Sequence, residues 1–241
     1  MEDIDAIAAL QDPVRRRLYE YVAAQGREVG RNEAAEAAGV ARTLAAFHLD
    51  RLADAGLLES GSRRLTGRSG PGAGRPAKVY VRARAERAVS LPARDYRTAA
   101  ELLAEAAEEA GLDAGLRAAA RSRGERLRDA REPCADLEQA MEILAARGYE
   151  PHLEDAAGES AEETADAAAG EDPARVVRMR NCPFHAVAER FPPLVCGMNL
   201  ALLEGLLGAD AGGAVRARLD ARPGACCVVV EPAAPSKNNI H

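Results

Sequence analysis

Apolar residues recur with a helical period in LQDPVRRRLYEYVAA, the first clear element of the chain. Asp12 is of the residue type favoured at a helix N-cap, and Pro13 suits the first helical position. The apolar residues that share one face are Val14, Leu18, Tyr21 and Val22. This spacing predicts a helix that begins at Asp12 and buries that face.

Polar caps and glycines divide the next segment into two more predicted helices. Asn32 can cap a short helix over EAAEAAG, which Gly39 ends. A third helix is predicted from about Ala41 to Ala55, and Gly56 closes it. Its inward stripe is Ala45, Leu49 and Leu52.

A change to strand-type patterning follows directly after the third helix. Residues 57–65 and 77–83 predict two strands around a tip rich in glycine, proline and arginine. The order helix, helix, helix, hairpin is typical of a winged helix-turn-helix DNA-binding domain. We assign residues 1–87 to this domain.

A long helical pattern without proline spans Arg97–Arg131. It predicts one helix, or two helices separated near Gly111–Gly115. The apolar side of this segment includes Leu102, Leu103, Leu112 and Leu116. Residues 88–133 are therefore a candidate linker and dimerisation element, with packing against the C-terminal domain as the alternative.

Helical and strand patterns alternate in the rest of the chain. Asp136–Arg147 predicts an amphipathic helix, and the acidic stretch Ala156–Asp172 lacks an apolar stripe and predicts a mobile loop. The predicted strands are YEPHLED, ARVVRMRN, VRARLD and ACCVVVE, with helices over RNCPFHAVAERFPPLVCGMNL. We expect an α+β protein whose C-terminal sensor domain, residues 134–231, has an antiparallel sheet of about four strands. Residues 232–241 would form a flexible tail.

Composition is that of a globular protein, because 47% of the 241 residues are apolar. No run reaches the about 18 consecutive apolar residues of a membrane span. The start MEDIDAIAAL is acidic, whereas a signal peptide starts with basic residues. We expect a cytoplasmic protein with no membrane partner.

Charge is distributed unevenly around a net value of −6. Between Glu59 and Glu86 there are seven cations and no acid, whereas Glu154–Asp172 contains eight acids and no base. Local charge decides which surface can approach phosphate. The basic hairpin is therefore the part of the chain that suits nucleic acid.

The third helix would enter the major groove, since its outward positions carry side chains that can touch base edges or phosphate. These candidate contacts are Arg42, Thr43, Ala46, Phe47 and Arg51. On the hairpin, or wing, the candidates are Arg68, Arg75 and Lys78. Asp50 is a poor neighbour for phosphate, and His48 is expected to pack or to touch phosphate. The predicted partner is a double-stranded DNA operator.

Four of the five cysteines lie within 46 residues, at 182, 196, 226 and 227. Clustered thiols in a reducing compartment more often bind metal or sense redox state than form a disulfide framework. Cys134, outside the cluster, is expected to be a small buried residue. The four clustered cysteines predict a metal or cluster site.

Local sequence predicts how these thiols are presented. Pro183 would start a helix with Cys182 at or near its N-cap, where the helix dipole favours thiolate. Cys196 would lie near the first turn of a second helix. Cys226 and Cys227 would point to opposite faces of a regular strand, so both could serve only if the backbone there is irregular. His185 is the candidate for a fourth ligand position.

The spacing C-x13-C-x29-C-C disfavours a zinc ribbon and leaves an iron–sulfur cluster or a less regular zinc site open. Thiol redox sensing without metal is a further alternative. An enzyme with a Cys182 nucleophile is not expected, because His185 lies on the same short helix and no third orienting group accompanies the pair.

Two stretches, LQDPVRRRLYEYV and GVARTLAAFHLDRLADAGLLE, resemble winged-helix repressors of the ArsR-like and DeoR-like groups. With NCPFHAVA, LVCGMNLALLEGLL and ARPGACCV behind them, the chain resembles the SufR-type iron–sulfur repressors. That resemblance implies a homodimer whose operator binding depends on a cysteine-bound cluster, usually 4Fe-4S. It implies regulated genes that include those for cluster assembly. Cys182 and Cys196 match the family pattern, and the third match is Cys226 or Cys227.

Overall fold

The computed structural model describes residues 2–63, 76–128, 132–155, 175–222 and 224–233. The chain divides into an N-terminal unit, residues 1–94, and a C-terminal unit, residues 95–241. Both units combine helices with an antiparallel sheet, so the expectation of a mixed α and antiparallel β protein is confirmed.

The described residues of the N-terminal unit form four helices and three strands. In chain order they are α1 (Glu2–Ala9), α2 (Pro13–Gln25), β1 (Val29–Gly30), α3 (Arg31–Ala38), α4 (Arg42–Asp54), β2 (Leu58–Arg63) and β3 (Ala77–Arg82). The sequence pattern did not predict α1, although its Ala6 is buried in the core of this unit.

The start of α2 confirms the predicted cap. An oxygen of Asp12 accepts hydrogen bonds of 2.9 Å from the backbone N–H groups of Val14 and Arg15, and Pro13 is the first helical residue. The predicted cap at Asn32 was wrong, because the chain passes from β1 straight into α3 and Gly30 takes the N-cap position.

Helix α4 buries the predicted inward stripe. Ala45, Leu49 and Leu52 are fully buried against α2, α3 and the sheet. Gly39, which ends α3, has φ +65°, a conformation that glycine adopts without a steric penalty. The stripe therefore holds α4 to the core and leaves its opposite side exposed.

The sheet of the N-terminal unit has the order β1-β3-β2, with both pairings antiparallel. Strands β2 and β3 pair from Leu58 opposite Arg82 to Arg63 opposite Ala77, as the two strand patterns predicted. Arg68 and Arg75, the predicted contacts at the hairpin tip, lie outside the described residues.

Within the part of the C-terminal unit that the structure describes there are five helices and four strands, with a 3-10 turn at Ala209–Ala211. In chain order they are α5 (Tyr96–Glu109), α6 (Asp113–Arg128), α7 (Leu137–Ala145), β4 (Pro151–Asp155), β5 (Arg175–Met179), α8 (His185–Ala188), α9 (Pro192–Leu207), β6 (Val215–Leu219) and β7 (Val228–Pro232). Two helices separated at Gly111 were one of the two predicted arrangements.

Helices α6 and α9 cross with their backbones in contact at two glycines. A Cβ added to Gly124 would lie 2.2 Å from the carbonyl oxygen of Leu202, and one added to Gly205 would lie 2.3 Å from that of Arg121. Helix α6 thus packs within the C-terminal unit, and the predicted boundary at residues 133 and 134 differs from the division seen in the structure.

The sheet of the C-terminal unit has the order β4-β5-β7-β6, and every pairing in it is antiparallel. One face packs against α7 and α9 through apolar residues such as Val177, Val228 and Val230. The predicted mobile loop, Ala156–Asp172, and all but the first two residues of the predicted tail lie outside the described residues.

Helix α9 and the turn after it, Pro192–Ala211, are long and apolar enough to cross a membrane. However, 56% of the most apolar window is buried inside the unit, which is the pattern of a core helix.

Candidate functional site

The side of α4 opposite the core carries the side chains that sequence reasoning assigned to DNA. Arg42, Thr43, Phe47 and Arg51 are exposed, and Ala46 is partly exposed. The ring of Phe47 is 54% exposed, and the Arg51 guanidinium lies 5.6 Å from the ring centroid. This cation–π contact orients Arg51 along the exposed face.

His48 belongs to the buried side of the same helix. It is 7% exposed and meets the edge of the Phe47 ring, with 5.3 Å between the ring centroids. Its Nδ1 atom has no hydrogen-bond partner among the described residues. The environment is that of a packing residue rather than a phosphate contact.

Lys78, near the start of strand β3, meets Asp50 of α4 in a cluster that we call the Asp50 network. Its members are Arg31, Asp50, Lys78 and Tyr80. Lys78 Nζ lies 2.8 Å from Asp50 Oδ1, and Arg31 Nη2 lies 2.9 Å from Oδ2. The Tyr80 hydroxyl donates to Oδ1 at 2.6 Å and accepts from Arg31 Nε at 2.9 Å.

Electrostatics keep the Asp50 carboxylate ionised. Partial desolvation acts to raise the pKa of Asp50, but hydrogen bonds from Lys78 and Tyr80 and the charge of Arg31 outweigh it and lower that pKa. Burial and the neighbouring carboxylate raise the pKa of Tyr80 to about 12, so its hydroxyl remains a donor at neutral pH. Sequence reasoning found Asp50 and Lys78 separately but not their pairing.

The four clustered cysteines form two pairs. Cys196 of α9 and Cys227 are joined by a disulfide, with 6.3 Å between their Cα atoms. The thiols of Cys182 and Cys226 are hydrogen-bonded to each other. Because Cys226 and Cys227 are adjacent and precede β7, the irregular backbone there lets each reach a different partner.

A buried polar pair lies against the Cys226 sulfur. Asn199, which is fully buried in α9, accepts a hydrogen bond from the Tyr149 hydroxyl through its Oδ1 atom. Its Nδ2 atom then donates to Cys226 Sγ at 3.5 Å. Asn199 lies one turn after Cys196, so α9 presents both side chains towards the Cys226–Cys227 segment. A lone asparagine among apolar residues was the signal that sequence reasoning missed.

Proton sharing between Cys182 and Cys226 differs from the predicted arrangement. The hydrogen bond with Cys226 and burial raise the pKa of Cys182, whereas the hydrogen bond from Cys182 lowers that of Cys226 to about 7. Cys182 lies two residues before Phe184, the N-cap of α8, which begins at His185 and has only four residues.

The remaining two candidates lie in different surroundings. The His185 ring is exposed, and its Nε2 atom lies 3.2 Å from a carboxylate oxygen of Glu189. Cys134 is buried, as predicted, and desolvation raises the pKa of its thiol. Within the described part of the chain, no three His, Cys, Asp or Glu side chains stand together as free metal ligands. The donors available at the cysteines are the Cys182–Cys226 thiol pair, and Cys196 and Cys227 once reduced.

Residues 10–61 match the family model described as a helix-turn-helix domain. This is the DNA-binding domain of a transcriptional regulator. The match spans α2, α3, α4 and most of β2, so the exposed face of α4 lies within it. No curated protein and no solved structure matches the chain.

Proposed function

We propose that the chain is a homodimeric transcriptional repressor whose operator binding is controlled by an iron–sulfur cluster at its four clustered cysteines. The observation that carries this proposal is that cysteines from three separate segments meet in two pairs, Cys196 with Cys227 and Cys182 with Cys226, and that Cys226 and Cys227 are neighbours in the chain. Four cysteine sulfurs are the usual ligand set of 2Fe-2S and 4Fe-4S clusters. In line with the resemblance, the regulated genes would include those for cluster assembly.

The chemistry of the donor set fits such a cluster when the disulfide is reduced. A dithiol reductant donates two electrons and two protons and becomes a disulfide itself, and this returns Cys196 and Cys227 to thiols. Cys182 and Cys227 are only partly buried, which leaves a route for assembly from outside. When bound, the cluster would supply a redox-sensitive link across the three segments.

The Asn199 amide also favours anionic sulfur at Cys226. An N–H donor to a ligand sulfur stabilises the charged form, and such hydrogen bonds are one means by which proteins adjust cluster potentials. Because Tyr149 occupies the Asn199 oxygen, the amide must present its N–H group to the sulfur. This arrangement favours Cys226 as a ligand and reduces the need for His185.

Helix α9 is the part of the unit that would respond to the state of the centre. It carries Cys196 and Asn199, and it crosses α6 with backbone contact at Gly124 and Gly205. Because the backbones of the two helices are already in contact at these glycines, a displacement of α9 would displace α6. In a dimer that reads two half-sites, a small change of spacing between the DNA-reading helices lowers specific affinity.

Dimerisation is proposed through the outer side of α5 and the start of α6. Leu102 and Leu103 are 61% and 73% exposed, and Leu112 is 55% exposed. Replacing Leu103 with Glu should shift the sedimentation coefficient from dimer to monomer. Leu219→Glu, at an exposed leucine of β6, is the control and should remain dimeric. A dimer in both variants would place the interface elsewhere.

A second candidate is a regulator that senses oxidants through thiols alone, and the Cys196–Cys227 disulfide is the observation that favours it. Its formation removes two electrons and two protons from the thiols, which an oxidant such as a peroxide accepts. On this alternative, metal-free protein changes its DNA affinity when the disulfide is reduced.

Protein purified without oxygen separates the candidates. We expect coloured protein with broad visible absorption, iron and acid-labile sulfide. Cys182→Ala and Cys196→Ala should lose them, whereas Cys134→Ala, at the cysteine outside the centre, should retain them. Colourless protein with bound zinc would support a zinc regulator. Colourless protein without metal, but with disulfide-dependent DNA binding, would support the thiol sensor.

A further inference from the structure

The Asp50 network joins three elements of the helix-turn-helix unit. Asp50 lies on α4, Arg31 is the first residue of α3, and Lys78 and Tyr80 belong to β3. Arg31 and Lys78 each lie within 3 Å of a different Asp50 oxygen, and both lie over the Tyr80 ring at 5.8 and 5.5 Å from its centroid. One carboxylate thus engages two cations at once.

Asp50 sits beside the exposed positions of α4 that would face the groove. It follows Ala46 and Phe47 by one helical turn, so the three side chains share one side of the helix. Its side chain is 40% exposed, and that of Lys78 is 38% exposed. A carboxylate at this position repels phosphate, while the cations that it holds are the groups that would attract phosphate.

We propose that Asp50 is a specificity-determining residue that suppresses binding to DNA of arbitrary sequence. Its carboxylate competes with DNA phosphates for Arg31 and Lys78. A phosphate can recruit either cation only by breaking an ion pair inside the protein. Base contacts from the exposed face of α4 must then supply the affinity, so the protein discriminates better between operator and other sequences. The inference concerns DNA binding only and does not depend on the thiol centre.

The salt dependence of binding measures this competition, because each phosphate contact steepens the plot of log K against log salt by about 0.9. Asp50→Asn would release up to two cations. Between about 50 mM and about 200 mM salt, one new contact makes the loss of affinity about 3.5-fold larger, and two make it about 12-fold larger. Affinity for arbitrary DNA at low salt should rise as well.

The experiment uses the full chain and a fluorescent duplex of random sequence, with anisotropy titrations over a KCl series. Asp50→Asn should bind more tightly at low salt with the steeper slope. Asp54→Asn removes an equal charge at the exposed end of α4 and is the matched control, with a slope like that of the wild type. In the double variant Asp50→Asn with Lys78→Gln, the slope should be lower by about 0.9 than in Asp50→Asn alone.

A single variant tests the same inference without changing Asp50. Lys78→Gln alone should leave the wild-type slope on random DNA unchanged, because Asp50 already withholds that cation. A slope lower by about 0.9 would show that Lys78 binds phosphate in the wild type and would overturn the proposal. An unchanged slope in folded Asp50→Asn protein, checked by circular dichroism, would overturn it equally.

Discussion

The crossing of α6 and α9 offers a sharp test of the packing in the C-terminal unit. Gly124→Ala would place a methyl group 2.2 Å from the carbonyl oxygen of Leu202 and 2.7 Å from the backbone N of Leu206. Cβ contacts in proteins are essentially never shorter than 3.0 Å, so the two backbones must separate by about 0.8 Å. The backbone cannot rotate away as a flexible side chain would.

Two opposing effects determine how much Gly124→Ala changes the free energy of unfolding. Overpacking of a well-packed interior costs about 1–3 kcal/mol, and the separation weakens neighbouring contacts between the helices. The higher helix propensity of alanine offsets about 0.5–1 kcal/mol. We expect Gly124→Ala to destabilise the C-terminal unit by about 1 kcal/mol, or about 3 °C in Tm for a unit of this size.

Gly115→Ala is the control within the same helix, because a Cβ there would meet nothing within 4 Å. It should raise stability by about 0.5 kcal/mol through helix propensity alone. Scanning calorimetry of the three proteins should therefore show shifts of opposite sign for the two alanines. If Gly124→Ala matched or exceeded the stability of Gly115→Ala, the close helix contact would be refuted.

Other predictions address the helix cap, the disulfide and the core. Asp12→Ala should lower the Tm in thermal unfolding, whereas Asp12→Asn should be nearly neutral because asparagine also caps helices. The Arg15 N–H lowers the Asp12 pKa from 3.8. The carboxylate's contribution to stability is therefore present above pH 3.8 and is lost as the pH falls through the lower pKa of the folded state. A difference in stability between wild type and Asp12→Ala that does not change with pH would contradict this. Reducing the Cys196–Cys227 disulfide, which spans 31 residues, should lower the free energy of unfolding in urea by about 3.7 kcal/mol, and equal midpoints with and without reductant would argue against that pairing. Leu144→Ala should cost about 2–5 kcal/mol because the side chain is fully buried, and a loss below about 1 kcal/mol would mean a looser core.

Much of the N-terminal unit follows from local sequence signals. The Asp12 cap, the inward stripe of α4 and the strand pair after Gly56 all depend on residues close together in the chain, and the structure contains each of them. The cap predicted at Asn32 was wrong because of the backbone that precedes it. A capping side chain predicts a helix start only if the preceding backbone is free to turn there, and strand β1 leads directly into α3.

The partners of the site residues could not be derived in the same way. The pairing of Asp50 with Lys78, and that of Cys226 with Cys182, joins residues far apart in sequence through the arrangement of the sheets. Asn199 is similar, since only the three-dimensional fold brings Tyr149 and Cys226 to its two amide atoms. Sequence spacing identified which residue types carry chemistry, and tertiary packing decided which of them meet.

The central claim is that the four clustered cysteines hold a centre whose state governs DNA binding. The most direct test compares the affinity of cluster-loaded and cluster-stripped protein for a duplex selected from a random pool, at one salt concentration. We expect the two forms to differ by about 5-fold to 150-fold, the range of typical coupling between sites, and we expect the difference to vanish in Cys182→Ala with Cys196→Ala. Equal affinities of the loaded and stripped wild-type protein would contradict the claim.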